Sequence, residues 1–142
     1  MKMVSQLLED KGCEVWAIGP DASVFEALTL MADKEIGALL VTESEKPVGL
    51  ISERDYARKV ILKGRSSKEL KVHEIMTTQV AYAYPDQRVD ECMAIVTERR
   101  QRHLPVFDHG KVVGLISIGD LVKAIIDDQQ FVIEQLEGYI SR

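Results

Sequence analysis

Long apolar runs, a disulfide-sized set of cysteines and an excess of positive charge are all missing from this sequence. No apolar stretch approaches the roughly 20 residues that span a bilayer, so we expect no membrane segment. The two cysteines, Cys13 and Cys92, are too few for a disulfide framework or a metal cluster. With 18 Lys and Arg against 23 Asp and Glu, the net charge of −5 argues against a nucleic-acid-binding protein. The acidic N-terminus MKMVSQLLED lacks the apolar stretch of a signal peptide, which predicts a cytoplasmic protein.

The motifs of common enzyme classes are missing as well. The sequence has no phosphate-binding loop of the GxxxxGK[ST] type, no nucleophile elbow and no paired Cys and His. His73, His103 and His109 have neither the spacing nor the partners of a metal site. A hydrolase would need a general base and a metal near its substrate, and no cluster of carboxylates or histidines supplies them. We therefore expect a protein that is not an enzyme and uses no catalytic cofactor.

The sequence repeats itself at a constant offset of 65 residues. Val15 to Ile61 aligns with Val80 to Ile126 without a gap, and 15 of these 47 positions are identical. The longest match is VGLIS, which begins at Val48 in the first copy and at Val113 in the second. Unrelated segments would share about three identities, so the chain contains two copies of one structural unit.

Both copies have the periodicities of a strand, a helix, two strands joined by a tight turn, and a second helix. Pro20 and Pro85 end the first strand of each copy. The strands are predicted at 15–18, 38–42 and 48–52, with 80–84, 103–107 and 112–117 in the second copy, and the closing helices at 54–62 and 119–126. This β-α-β-β-α order, present twice, predicts an α+β fold.

Additional helices flank the two copies. Apolar spacing predicts an N-terminal helix that ends near Gly12, and an apolar stripe on a C-terminal helix formed by Val132, Leu136, Tyr139 and Ile140. We expect four parts: the N-terminal helix and first copy (1–63), a linker with a helical turn (64–79), the second copy (80–128) and the C-terminal helix (129–142). The flanking stripes either contact a second copy of the protein or fold back over the chain's own core.

Several of these features together resemble the cystathionine-β-synthase (CBS) repeat. They are the VGLIS strand, the Asp three residues after its serine, and the segments EIMT at 74–77 and RHLPV at 102–106. The resemblance covers roughly Val4 to Ile126 and implies two repeats packed with pseudo-two-fold symmetry around a cleft. It also implies up to two adenosine ligands in that cleft, from the set AMP, ADP, ATP, NAD or NADH and S-adenosylmethionine, and a homodimer.

The Ser-x-x-Asp motif at the end of each VGLIS strand has a chemistry that fits such ligands. Ser52 and Ser117 precede helices whose first N–H groups are expected to be unpaired, which suits a phosphate. Asp55 and Asp120 follow in the first turn, where each carboxylate can accept hydrogen bonds from both hydroxyls of a ribose. The same motif is also close to a capping box, so it can serve only to start the helix, and the two roles can coexist.

The candidate ligand-binding residues extend beyond this motif. Apolar or aromatic strand residues are expected to contact the adenine, and Arg54, Arg102 and His103 to contact phosphate, while Gly119 would allow close approach to the backbone. Because these residues differ between the copies, we expect two unequal sites. The full set is Trp16, Ile18, Ala38, Leu40, Ser52, Arg54, Asp55, Thr77, Tyr82, Arg102, His103, Pro105, Ser117, Gly119 and Asp120.

Two functional classes remain compatible with these residues. The first is a regulatory module that senses energy or redox state through adenosine nucleotides and signals to an unidentified protein target by a population shift. The second is a ligand-free dimerisation scaffold. The distinguishing result for the scaffold would be a dimer that binds no nucleotide and does not change when Asp55 and Asp120 are substituted.

Overall fold

The computed structural model describes residues 1–141 and divides the chain into two compact units. We call Val15–Val80 the first-repeat unit, and Met1–Glu14 together with the chain from Ala81 onwards the second-repeat unit. The N-terminal helix therefore belongs to the second repeat and the linker to the first, which differs from the expected boundaries of 1–63, 64–79 and 80–128. Arg142, the last residue of the expected part 129–142, lies outside the described residues.

Within residues 1–141 the two units contain five helices and five strands, and the α+β fold class predicted from the sequence is confirmed. Two short 3-10 turns, Ile61–Lys63 and Val72–Glu74, supplement them. In chain order the elements are α1 (Val4–Lys11), β1 (Ala17–Ile18), α2 (Val24–Lys34), β2 (Ala38–Glu43), β3 (Lys46–Ser52), α3 (Glu53–Lys59), α4 (Val89–Arg99), β4 (His103–Asp108), β5 (Lys111–Ser117) and α5 (Ile118–Ile140).

The first-repeat unit is built on a three-stranded sheet in the order β1-β2-β3. β1 runs parallel to β2, and β2 pairs antiparallel with β3 so that Ala38 lies opposite Ser52. Apolar side chains of α2 and of the 72–75 segment pack against this sheet and complete a core that includes Val24, Met31, Leu39, Ile51, Val72 and Ile75. The sheet thus ends with Ser52 directly at the start of α3.

The second-repeat unit has the same hairpin, with His103 opposite Ser117. Its first strand is reduced to an isolated β-bridge. Only one parallel bridge, from Ala83 to Val106, remains of the strand predicted at 80–84. The amide group of Gln101 accepts a hydrogen bond from the Ala81 N–H at 3.0 Å and donates to the Ala81 carbonyl at 2.8 Å. The Gln101 side chain therefore forms the hydrogen bonds with the Ala81 backbone that a neighbouring strand would otherwise form.

The segment preceding each repeat packs into the core of the unit that contains the other repeat. Val4, Leu7 and Leu8 of α1 are buried in the second-repeat unit. Val72 and Ile75, which precede the second repeat in sequence, are buried in the first-repeat unit. In each unit this segment packs directly against the glycine of the VGLIS strand. A Cβ on Gly49 would lie 2.7 Å from the Met76 sulfur, and one on Gly114 would lie 2.6 Å from a Leu8 methyl.

The last helix, α5, is one continuous element of 23 residues. The sequence predicted two helices, at 119–126 and 129–142, which the structure corrects. The intervening residues, Asp127 to Gln130, contain no Gly or Pro, so nothing ends the helix between them. Its second half is exposed throughout, which excludes the alternative that the C-terminal stripe folds back over the chain's own core. Across residues 1–141, no helix has the length and apolar character needed to cross a membrane.

Candidate functional site

In the first-repeat unit, the Ser-x-x-Asp motif forms a closed hydrogen-bonded ring at the start of α3. The Ser52 N–H donates to Oδ2 of Asp55 at 3.0 Å, and the Ser52 hydroxyl lies 3.1 Å from the same oxygen. The Asp55 N–H donates back to the Ser52 Oγ at 3.2 Å. The other carboxylate oxygen, Oδ1, pairs with the Lys59 ammonium at 3.1 Å. With 14% of its side chain exposed, Asp55 is a partly buried carboxylate that is fully engaged by its own chain.

The second-repeat unit repeats this ring and adds a lysine from a different element. The Ser117 N–H donates to Oδ2 of Asp120 at 2.8 Å, and the Asp120 N–H donates to the Ser117 Oγ at 3.2 Å. Lys11 of α1 pairs with the same carboxylate and also donates to the Leu115 carbonyl at 2.7 Å. Burial alone would raise the pKa of Asp120, but the hydrogen bonds from Lys11 and Ser117 outweigh it and hold that pKa below its usual value.

Strand pairing places His103 and Ala38 at equivalent positions beside the two motifs. His103 lies opposite Ser117, and Ala38 lies opposite Ser52. Burial lowers the pKa of the His103 imidazole below its usual value, and the nearby Lys11 ammonium lowers it further, against the opposing effect of Asp120. His103 is therefore a neutral hydrogen-bonding group at pH 7, and it would gain a proton more readily if an anion occupied this place.

At each motif the N–H groups of the first and third helical residues are paired, whereas the sequence interpretation expected the first N–H groups to be unpaired. The Glu53 N–H donates to the Gly37 carbonyl at 3.0 Å, and the Ile118 N–H donates to the Arg102 carbonyl at 2.8 Å. The N–H groups of Asp55 and Asp120 are taken by the serine hydroxyls. A phosphate that used these N–H groups would therefore have to displace the existing bonds.

The adenine candidates of the first repeat differ in accessibility. Trp16 and Ile18 are half-buried, and the Lys34 ammonium lies 4.3 Å from the centre of the indole ring. Ala38 is fully buried and Leu40 is 4% exposed. They alternate along β2 with Leu39 and Val41, whose side chains belong to the first-repeat core, so they lie on the opposite face of the sheet. Contact of these two side chains with adenine stays a prediction for that face of the sheet.

The second repeat offers a different set around its motif. Tyr82 packs edge-on against Phe107 with ring centres 5.6 Å apart, and burial raises the pKa of its phenol. Pro105 is buried in β4, whereas Arg102 and Gly119 are exposed. Thr77, the candidate from the linker, lies in the first-repeat unit, where its backbone exchanges two hydrogen bonds with Leu50. Of these candidates, Arg102 and Gly119 are exposed to solvent, whereas Pro105 and Thr77 contribute to the sheets.

A cavity of about 300 Å³ adjoins Asp120 inside the second-repeat unit. It lies between α1 and α5, and the charged residues that line it are Lys2, Asp10, Lys11, Asp120, Lys123 and Asp127. Lys2 already pairs with Asp10 at 3.2 Å, as Lys11 does with Asp120. The carboxylate of the motif is therefore reachable from a polar recess, beside an ammonium group.

Two lysines that the sequence interpretation did not select complete the site. Lys59 contacts Asp55 and also donates to the Ile75 carbonyl at 2.8 Å. Its signal was present in the sequence, because an acidic residue four positions before a lysine on a helix forms a pair. Lys11 had no such signal, since it is 109 residues from Asp120 and the second copy has Ala124 where the first has Lys59.

The described residues contain no cluster of metal-ligating side chains, and one of the two cysteines is buried. Within residues 1–141, no three His, Cys, Asp or Glu side chains are grouped closely enough to hold a metal ion. Cys92 is buried on the core face of α4, and burial raises the pKa of its thiol to about 11, so it is a protonated core residue at neutral pH. Cys13 is exposed at the end of the N-terminal segment.

Comparison with known proteins gives a consistent result. The family profile described as CBS domain matches residues 11–62 and 72–127. A mitochondrial CBS domain-containing protein of Arabidopsis thaliana, CBSX3, is 35% identical over 97% of this chain and 71% of its own length. A protein with CBS domains from Burkholderia ambifaria MC40-6, assigned to signal transduction, is 53% identical with a TM-score of 0.86, over 90% of this chain and 96% of its own. The CBS pair of MJ0100, solved with 5′-methylthioadenosine and S-adenosyl-L-methionine, shares the fold at 23% identity and a TM-score of 0.79, over 90% and 98%.

Proposed function

Because the chain belongs to the CBS-domain family and contains two CBS repeats, we propose that it is a regulatory module that binds an adenosine-containing ligand. The observation that carries this proposal is the duplicated carboxylate, Asp55 and Asp120, held in the same hydrogen-bonded ring in both units. A carboxylate at this place has the oxygens to accept both hydroxyls of a ribose. The complex of MJ0100 supports the ligand class, because both of its ligands contain adenosine.

A ligand could bind these carboxylates by displacing the two lysines, Lys59 and Lys11, that pair with them. Ribose hydroxyls would replace the Lys59 ammonium on Asp55 and the Lys11 ammonium on Asp120 as hydrogen-bond donors. The released ammonium groups would then pair with a phosphate close to the ribose. This exchange keeps each carboxylate satisfied in both states, which avoids the cost of an unpaired buried charge.

The surroundings of the two carboxylates favour unequal affinities. The second motif has Arg102, His103 and Lys11 near it, whereas the first has Arg54 and Lys59. We expect the second site to prefer ligands with more phosphate, such as ATP or NADH, over AMP. S-adenosylmethionine carries no phosphate and would bind the two sites more equally. A titration that fits two equal, independent sites for ATP would contradict this part of the proposal.

The proposed output is a population shift that a protein partner detects. A ligand that binds one conformation of the repeats more tightly than another moves the equilibrium towards it, by no more than its difference in affinity. We expect the protein to act as a homodimer, to report energy or redox state to a protein target, and to use neither nucleic acid nor a membrane. We also expect it to work in the cytoplasm.

A structural scaffold is the second candidate, and one observation favours it. Both Ser-x-x-Asp motifs form complete capping boxes, which explains the motif without any ligand. A capping role would make the aspartates matter for stability and not for binding.

Isothermal titration of nucleotide-free protein with AMP, ATP, NADH and S-adenosylmethionine separates the two candidates. The test variants are Asp55→Asn and Asp120→Asn, because Asn retains one oxygen for the serine N–H but loses the second acceptor. Asp21→Asn, at a carboxylate that is 82% exposed, is the matched control. We expect binding in the micromolar range, with each test variant weakening one site at least tenfold and the control weakening neither. Absence of binding by all four ligands would favour the scaffold.

A further inference from the structure

A basic segment of the first-repeat unit differs in charge from the rest of the chain. Residues 56–71 contain six of the 18 Lys and Arg and one of the 23 Asp and Glu. Their net charge is therefore +5, and because the whole chain has −5, all other residues together have −10. We call residues 56–71 the basic patch. Its six cations are all exposed: Arg58, Lys59, Lys63, Arg65, Lys68 and Lys71.

Backbone hydrogen bonds give the basic patch a defined shape. The Val60 carbonyl accepts hydrogen bonds from the Lys63 and Arg65 N–H groups, at 3.2 and 2.9 Å, and so closes a turn after α3. The Ser67 carbonyl accepts one from the Phe25 N–H at 2.9 Å, which joins the patch to the start of α2. Because Val60 is also fully buried, this turn is part of the folded unit.

Most cations of the basic patch have no acidic partner. The exception is Lys59, which pairs with Asp55 at 3.1 Å. For the other five, no carboxylate within residues 1–141 lies at ion-pair distance: Arg58, Lys63, Arg65, Lys68 and Lys71. Like charges grouped in this way repel one another, and a bound anionic group relieves that repulsion.

Two exposed apolar side chains lie among these cations. Ile61 and Leu62 are 55% and 78% exposed, between the cations of α3 and those of the following turn. At the offset of 65 residues, the second repeat has Asp127 where the first has Leu62. It likewise has Asp128 where the first has Lys63. The repeat therefore forms with acidic residues at these places, and the basic and apolar character of the first copy is not a requirement of the fold.

We propose that the basic patch binds a short acidic segment of another protein, with an apolar residue between its carboxylates. The carboxylates would pair with Arg58, Lys63 and Arg65. The apolar residue would pack against Ile61 and Leu62. Such a segment gives a chemistry to the protein target of the proposed function, on which this inference rests for the existence of a target.

The charge of the other residues favours a short peptide over an extended polyanion. A membrane or a nucleic acid presents negative charge over a large area, which the net charge of −10 outside the patch would repel. The Debye length is about 8 Å in physiological salt, so a short segment confined to the patch avoids most of that repulsion. Two apolar side chains at one turn are also fewer than the apolar face by which a peripheral helix enters a membrane.

Fluorescence anisotropy of the labelled peptide DEDLFDED with full-length, nucleotide-free protein measures this binding. We expect saturable binding that the double exchange Lys63→Glu with Arg65→Glu weakens about tenfold or more. The matched control is Lys46→Glu with Lys111→Glu, which changes the charge equally at two exposed hairpin lysines outside the patch. The control should stay within about threefold of the native protein. Absence of binding, or equal weakening by both double exchanges, would overturn the proposal.

The same variants test the apolar contact and the rival occupants. Leu62→Ser should weaken DEDLFDED about fivefold and leave the peptide DEDSSDED within about twofold, and equal effects on both would contradict the apolar contact. Tighter binding of phosphatidylglycerol vesicles or duplex DNA through Lys63 and Arg65 would overturn the proposal. So would sedimentation in which the double exchange at these two residues dissociates a native oligomer, since a second copy would then cover the patch.

Nucleotide titration of the Lys63→Glu with Arg65→Glu variant separates this inference from the proposed function. Nucleotide binding by native protein that binds no peptide would overturn only the basic-patch proposal. Peptide binding by native protein that binds no nucleotide would support it and contradict nucleotide sensing alone. We expect the double variant to lose the peptide and retain its nucleotide affinity within about threefold, because both residues lie outside the Ser-x-x-Asp rings.

Discussion

At the scale of single residues, a carboxylate in the first turn of a helix can stabilise that helix and bind a ligand with the same atoms. Asp55 accepts hydrogen bonds from Ser52 with one oxygen and pairs with Lys59 through the other. Substitution by Ala removes both functions together, and a loss of ligand affinity then has two explanations. Substitution of the lysine is more informative, because it leaves the capping box in place.

Lys59→Met should lower the affinity for AMP about tenfold and leave the affinity for adenosine within about threefold. The reason is that the ammonium is proposed to leave Asp55 for the phosphate, and adenosine has none; a charge-assisted bond of this kind contributes roughly 1.5 kcal/mol. Isothermal titration with both ligands measures the difference. Lys63→Met, in the turn after α3, controls for the loss of one positive charge. Equal weakening of AMP and adenosine would show that Lys59 only orients Asp55.

Protonation of Asp120 should make the stability of the second-repeat unit depend on pH at acidic values. The pKa of this carboxyl is lowered in the folded protein, by Lys11 and Ser117 against the effect of burial, while the unfolded chain has the ordinary value of about 3.9. The unfolded state therefore binds the proton first, so the contribution of Asp120 is complete above about pH 5 and is lost as pH falls through the folded pKa. Urea unfolding of the native protein and Asp120→Asn between pH 6 and pH 3 should give a shallower pH dependence for the variant. Parallel curves would contradict this assignment.

At the scale of elements, the two hairpin turns differ in one residue that matters for backbone strain. Both turns place two residues at positive φ, with values of 50° and 66° for Ser44 and Glu45, and 50° and 78° for His109 and Gly110. This pattern is that of a type I′ turn, which favours glycine at its second position. The second repeat has that glycine, and the first has a glutamate at the equivalent position.

Glu45→Gly should therefore raise the free energy of unfolding by about 1 kcal/mol, because a non-glycine residue in the left-handed region costs roughly that amount. Gly110→Ala is the reciprocal change and should lower it by a similar amount. Urea unfolding followed by circular dichroism measures both. If Glu45→Gly were neutral or destabilising, an interaction of the glutamate side chain would have to offset the strain of its backbone.

The elements were predictable where sequence periodicity and duplication support each other. The hairpins, α2, α4 and the serine-led starts of α3 and α5 follow from patterns present twice. The first strand of the second repeat was overpredicted, because nothing in its alternation shows that Gln101 would take over the backbone of Ala81. The hydrogen-bonded rings of the two motif aspartates follow from the same duplication as the hairpins, whereas the Lys11 contact depends on tertiary packing between distant segments.

At the scale of the whole molecule, the chain builds its two units from unequal pieces of sequence. The first-repeat unit is one continuous segment, Val15–Val80, whereas the second needs Met1–Glu14 as well as the chain after Ala81. A constant offset of 65 residues could not reveal this, because the segments preceding the two repeats match at a different offset. Met3 bridges Arg88 as Lys71 bridges Ser23, so these segments are related by 68 residues.

Leu7 and Ile75 occupy equivalent places in the two cores, and their substitution should separate the units. Leu7 is 4% exposed in the second-repeat unit and Ile75 is 1% exposed in the first. Leu7→Ala should cost about 2–4 kcal/mol and increase amide hydrogen exchange in β4 and β5, because the cavity opens in their core. Ile75→Ala should instead increase exchange in β2 and β3. Hydrogen exchange followed by mass spectrometry resolves the two hairpins, since their peptides differ in sequence. Equal loss of protection in both hairpins for either variant would contradict this prediction. It would mean that the two units unfold together as one cooperative body.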